Sequence, residues 1–140
     1  MRFVLDNSVI QRFGEPRVRD VVEALRADHE LIICTPTLLE VEVSARNEAD
    51  HLRQWQHLTA AMRVLHGSEE VDVHARAIQS GLVAEGQHRG PGPVDVLVAA
   101  HAAVAKAAVL HHDRDFELIE ECAGIAQRWV LPRGTTTWGG

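Results

Sequence analysis

Asp6, Glu40, Asp95, Asp113 and Asp115 are carboxylates whose positions allow one shared site. Asp6 closes the apolar run Phe3-Val4-Leu5, while Asp113 and Asp115 come directly after a second run that begins at Ala108. Asp95 stands at the start of a long apolar stretch, and Glu40 lies in the segment that follows Leu31-Ile32-Ile33-Cys34. Four separate segments therefore offer acids to a common rim. Acids that repel one another are rarely gathered in a partly buried pocket unless a cation neutralises them, and oxygen-only ligands select hard ions such as Mg2+ or Mn2+. Convergence would make an acidic metal site. Each acid alone also has a plain structural use: Asp6 as a helix cap, Asp95 at a helix dipole, Glu40 on a solvated face, Asp113 and Asp115 in an Asx turn. Their joint placement at strand ends carries the inference.

Other chemistries fit less well. The chain has 9 histidines, with His101, His111 and His112 close in sequence. No His-x-x-x-His pair accompanies them, and adjacent His111 and His112 on a strand face opposite sides, so zinc is disfavoured. Ser8 lacks a nucleophile-elbow pattern, and Gly90-Pro91-Gly92-Pro93 lacks the Lys-Ser/Thr ending of a phosphate loop. Cys34 and Cys122 are too far apart in sequence for a thiol zinc cage and too few for a disulfide scaffold.

The acids must be positioned by the elements around them. The runs 2–5, 31–34, 108–110 and 128–131 read as strands. Val18, Val21, Val22 and Leu25 follow the i, i+3, i+4, i+7 rule of an amphipathic helix, with Pro16 suited to its first turn. Pro36 opens a helix expected to reach Arg46. Leu52, Trp55, Leu58, Met62 and Leu65 form one further helical stripe, and Val71, Ala75, Ile78 and Leu82 another. Residues 94–108 are apolar nearly all round, as in a buried helix, and 115–122 read as a short helix ending before Gly124. Strands alternating with helices imply an α/β layer fold with a mostly parallel sheet, in which ligands sit beyond the carboxyl ends of the strands.

The 140 residues fit a single domain that buries roughly 68–70% of its unfolded surface. A formal net charge of −6 does not suit a non-specific polyanion binder. The cations are all Arg except Lys106, and with 3 Phe, 3 Trp and no Tyr a base-stacking sheet is not expected. No apolar run reaches the roughly 18 residues of a membrane span, and Asp6 comes too early for a signal peptide, so a soluble, cytoplasmic protein is expected.

In these residues and their order the chain resembles a PIN-domain ribonuclease, specifically a VapC-like toxin of a type II toxin–antitoxin pair. The resemblance runs from Phe3 to Gly134. It is carried by Leu5-Asp6-Asn7-Ser8, by Leu39-Glu40 followed by Ser44-Ala45-Arg46, and by Gly86-Gln87-His88-Arg89 ahead of Val94-Asp95-Val96-Leu97-Val98-Ala99-Ala100. Leu110-His111-His112-Asp113-Arg114-Asp115-Phe116 and Arg128-Trp129-Val130-Leu131-Pro132-Arg133-Gly134 complete it.

The resemblance implies a three-layer α/β/α sandwich with sheet order 3-2-1-4-5, a PIN domain over residues 1–134 and a flexible tail over 135–140. By motif position Asp6, Glu40, Asp95 and Asp113 match the acidic quartet that holds Mg2+ or Mn2+, Asp115 matches a frequent fifth acid, and Ser8 a hydroxyl near the metal water. Asn7 stands where Thr is common, and His112 replaces a common Tyr. Glu40 is preferred to Glu42, which lies roughly 200° away around a helix. The implied activity is metal-dependent RNA hydrolysis, of tRNA or other structured RNA, leaving a 3′ hydroxyl and a 5′ phosphate. Arg46, Arg89 and Arg114 are candidate phosphate contacts. A VapB-like antitoxin and a homodimer are the implied partners. Two alternatives stand beside this: a non-catalytic antitoxin-binding module, and a Mg2+-dependent phosphatase, which would want Asp-x-Asp after the first strand where Ser8 stands.

Overall fold

The structure, a computed structural model, describes residues 1–137. In chain order the elements are β1 (Arg2–Leu5), α1 (Asn7–Ile10), α2 (Pro16–Asp28), β2 (Glu30–Cys34), α3 (Thr35–Val43) and α4 (Glu48–Ala61). They continue with β3 (Arg63–Leu65), α5 (Glu69–Ala84), α6 (Pro93–Ala105), β4 (Ala108–His111), α7 (Asp115–Ala123) and β5 (Gln127–Trp129). The five strands form one sheet in the order β3-β2-β1-β4-β5, parallel at every pairing.

Alternation along the strands divides the core in two. Phe3, Leu5, Leu31, Ile33 and Leu110 face a cluster completed by Val18, Val22, Leu25, Leu38 and Leu58 from α2, α3 and α4. Val4, Ile32 and Val109 face the opposite cluster, with Val71, Ile78 and Leu82 of α5, Val98 and Ala99 of α6, and Phe116 of α7. A sheet buried on both faces explains why its strands read as unbroken apolar runs. Each wholly buried Leu or Ile contributes about 1.5–3 kcal/mol. This is the three-layer α/β/α sandwich, in the expected strand order.

Three local expectations are corrected. The stripe expected to be helical through Leu65 stops at Ala61, and Arg63–Leu65 pairs with Ile32–Cys34 as an edge strand. Met62 is the turning point: its backbone is extended, at φ −137° and ψ 142°, while its side chain stays buried with the α2 cluster. The three-residue spacing of Met62 and Leu65 imitates a helix, and only β2 supplies the ladder that overrides it. The helix after β2 ends at Val43, not Arg46, where Ser44 Oγ donates to the Val41 carbonyl at 2.7 Å. The last strand is Gln127–Trp129; beyond it the Val130 N–H still donates to the His111 carbonyl at 2.7 Å.

In the segment expected to form a tail, Arg12 Nε donates to Thr137 Oγ1 at 2.7 Å and Arg17 donates to the Thr136 carbonyl at 3.0 Å. Residues 138–140 lie outside the described residues. No helix among the described residues is long and apolar enough to cross a membrane.

Candidate metal centre

Parallel strands bring their carboxyl ends to one edge, so the residues that follow β1 and β4 meet there. The Asp6 N–H donates to the Leu110 carbonyl at 3.0 Å, extending the ladder one step beyond β1. Asp6 then leaves the strand and caps α1, its Oδ2 accepting from Ser8 N at 3.0 Å. Its other oxygen, Oδ1, is buried and has no hydrogen-bond partner within the described residues. Ser8 Oγ accepts the His112 N–H at 2.9 Å, a second tie between the two strand ends.

Asp113 and Asp115 form the turn from β4 into α7, with Asp113 Oδ1 accepting the Asp115 N–H at 3.0 Å. Behind them, His111 is fully buried. Its Nδ1 accepts the Asp113 N–H at 3.0 Å, which leaves Nε2 as the protonated nitrogen, donating to Gln127 Oε1 at 2.5 Å. Burial lowers its pKa and favours that neutral form. His111 therefore holds the acid turn in place without carrying charge.

Asp95 occupies the first turn of α6, where its Oδ2 accepts the Gly92 N–H at 3.1 Å. The loop before it runs close to the acids: a Cβ added at Gly90 would lie 3.8 Å from Asp115 Oδ1 and only 3.2 Å from Leu118 Cδ1. Glu40 sits one turn after Thr37, whose hydroxyl donates to the Leu5 carbonyl at 3.0 Å and fixes α3 against the end of β1.

Carboxylate oxygens of Asp95, Asp113 and Asp115 lie within 4.8 Å of one another, all three residues partly buried. Asp6 and Glu40 stand outside that trio but within its field. Burial pushes Asp95 up to about 7, with repulsion from Asp6, Asp113 and Asp115 adding to it and the Gly92 N–H opposing it. Burial likewise raises Asp6, against the bonds from Ser8, with Asp113 adding repulsion. Glu40 is raised by burial and by Asp6 and Asp113, and Asp115 by burial and by Asp113. Glu42, by contrast, hydrogen-bonds His51 of α4.

Oxygen donors only, mutual repulsion and a buried carboxylate oxygen with nothing to bond fit a hard divalent cation. The same acids also make the capping bonds that a purely structural reading assigns to them, so both uses coexist. Of the arginines, Arg114 belongs to the acid turn itself, Arg46 pairs with Asp50 at 3.6 Å, and Arg89 is exposed on the loop before Gly90. Nothing in the spacing of the sequence points to Thr37 or Gln127 as supports of the site; the one local signal is a hydroxyl one turn ahead of Glu40.

The sequence matches the family described as PIN domain over residues 3–121. It is 38% identical over 138 residues to Ribonuclease VapC51 of Mycobacterium tuberculosis (strain ATCC 25618 / H37Rv), covering 96% of this chain and 97% of that protein. Ribonuclease VapC21 of the same organism is 34% identical over 134 residues, with 96% and 97% covered. Among solved structures, VapBC-1 from nontypeable Haemophilus influenzae superposes with a TM-score of 0.78 at 21% identity, covering 93% of this chain and 98% of that one. At that identity the likeness speaks for the fold.

Proposed function

The chain belongs to the PIN-domain family, and from that premise we propose that it is a metal-dependent endoribonuclease toxin, cutting RNA phosphodiester bonds and neutralised by a VapB-like antitoxin. The observation that carries the reading is the acid trio within 4.8 Å beside the unpartnered, buried Asp6 Oδ1. Curated relatives named as VapC ribonucleases support the activity, and the VapBC complex among the similar folds supports the partner.

Asp6, Glu40, Asp95, Asp113 and Asp115 would hold Mg2+ or Mn2+. A divalent ion bound by them supplies an activated water and offsets charge on the phosphodiester. The protein's own part is to keep the acids in place against their repulsion. Ser8 locks the end of β1 to β4, His111 locks the turn of Asp113, and Thr37 locks the helix of Glu40. Arg114, beside Asp113, contacts a backbone phosphate through bidentate guanidinium bonds, and the exposed Arg46 and Arg89 are further phosphate contacts. Apolar side chains exposed on α3 and α4, among them Leu39, Val43, Leu52 and Trp55, support a protein partner and a homodimer.

The test is purified protein incubated with a panel of tRNAs and other RNAs, with Mg2+, Mn2+ or EDTA, followed by end-mapping. Discrete cuts with 5′ phosphate ends, present with metal and absent in EDTA, are expected. Cleavage that is unaffected by EDTA, or the absence of any cleavage, would overturn the reading.

A further inference from the structure

We propose that the cleft of about 500 Å3 beside Asp113 seats one nucleotide of the RNA strand next to the cleaved bond, with its base against Trp129 and Gln11. The inference rests on the ribonuclease reading and deepens it by naming residues that select the substrate. Asp113 is both a wall of this cleft and a member of the acid trio, so a strand with a phosphate at the acids runs directly into it.

The lining matches the parts of a nucleotide. Trp129 is half-buried and held by ring contacts to His111 and His112, with centroids 5.0 and 5.2 Å away. An aromatic face already fixed by its neighbours offers stacking to a base without losing further freedom on binding. Gln11 is exposed at the end of α1, and its side-chain amide makes no hydrogen bond within the described residues. An amide carries both donors and an acceptor, which suits the edge of a base. Arg114 is exposed, and its guanidinium makes no hydrogen bond or ion pair within the described residues. It stands beside Asp113 and is placed for the phosphate that links cleft to acids. Next to Trp129, His112 Nε2 donates to the Thr135 carbonyl at 3.0 Å, which ties the segment after β5 to the wall of the cleft before anything enters.

The experiment is single-turnover cleavage in Mn2+ of short RNAs that differ only in the nucleotides flanking the mapped cut. Wild type, Gln11→Ala, Trp129→Leu and Trp129→Phe are compared, each with its unfolding curve. Wild type is expected to prefer one base at a flanking position. Trp129→Leu should raise the half-saturating RNA concentration about tenfold, and Trp129→Phe should recover most of that. Gln11→Ala should reduce the preference between bases about fivefold. Because the Gln11 amide is exposed, that variant keeps the test open if Trp129→Leu does not fold.

Folded variants with the wild-type base preference and half-saturation would overturn the cleft assignment and leave the ribonuclease reading standing. The same holds if the variants lose only binding of a protein partner. Should wild type cleave no RNA, the ribonuclease reading falls and the cleft is judged by binding of the same RNAs. Weaker binding by Gln11→Ala then supports it, while equal binding, or none by wild type, overturns it.

Discussion

The hydroxyl oxygen of Ser8 accepts the backbone N–H of His112 at 2.9 Å, a bond between residues 104 apart in sequence that joins the ends of the two central strands. Ser8→Ala leaves that N–H without its partner. The expected cost is about 1–2 kcal/mol of folding stability, measured by urea unfolding. Mn2+ affinity should fall as well, because the bond sets the distance from Asp6 to Asp113. Unchanged affinity by calorimetry would show that Ser8 serves the fold alone.

Asp95 gives a pH dependence of defined sign. Its folded pKa, about 7, lies above the ordinary value of 3.8, so the folded state holds the proton more tightly than the unfolded chain. In EDTA this favours folding below about pH 4, and the advantage is lost as pH rises through about 7. Asp95→Asn retains an oxygen to accept the Gly92 N–H and removes the charge. It should unfold later than wild type at pH 8 in EDTA, by about 1–3 kcal/mol after discounting for solvent, with no gain at pH 4. It should also lose most of the stabilisation by Mn2+. A mutant that melts lower than wild type at pH 8 and keeps the metal response would mark Asp95 as a helix-start residue only.

Glu40 and Glu42 separate the metal role from the surface. Glu40→Gln is expected to lower cleavage at least tenfold while the protein stays folded. Glu42→Gln removes a charge but keeps an oxygen for the exposed His51, and should change stability by no more than about 0.5 kcal/mol, with cleavage intact. The reverse pattern in a cleavage assay would show the ligand to be misassigned.

Gln127→Ala removes the acceptor that fixes the His111 tautomer. Freed from it, His111 can present an N–H where Asp113 needs an acceptor. Loss of outer partners of this kind typically costs about 10–100-fold in metal affinity. Titration calorimetry with Mn2+ would detect it, and an unaltered isotherm would show that the histidine holds its orientation by packing alone.

What could be read from the residues follows from whether the deciding contact is local. β1, β2 and β4 are legible because strands buried on both faces are unbroken apolar runs, and α2 and α5 because their stripes recur at helical spacing. β3 was not, since three residues at an edge carry no periodicity of their own and Leu65 continues the spacing of α4. Only four strands could be read directly; the fifth place in the order came with the family resemblance. Asp6, Asp95, Asp113 and Asp115 were legible as a group because each follows a strand or opens a helix, whereas Glu40, inside α3, was singled out from Glu42 only through the family resemblance. The supports of the site were not. Thr37 acts on the Leu5 carbonyl and Gln127 on His111, contacts between segments 32 and 16 residues apart that spacing cannot reveal.

The central place of β1 has a consequence for biosynthesis. Its two neighbours in the sheet, β2 and β4, are far apart in the chain, with Val4 lying beside both Ile32 and Val109. At translation rates of about 5–20 residues per second, roughly 5–20 seconds separate the emergence of Val4 from that of Val109. During that interval one flank of β1 is bare and two of the five acids, Asp113 and Asp115, have not emerged. A nascent chain from which β4 has not yet emerged therefore carries no complete acid centre, and the centre forms only when β4 docks on β1. Topology alone delays completion of the acid centre until β4 has emerged.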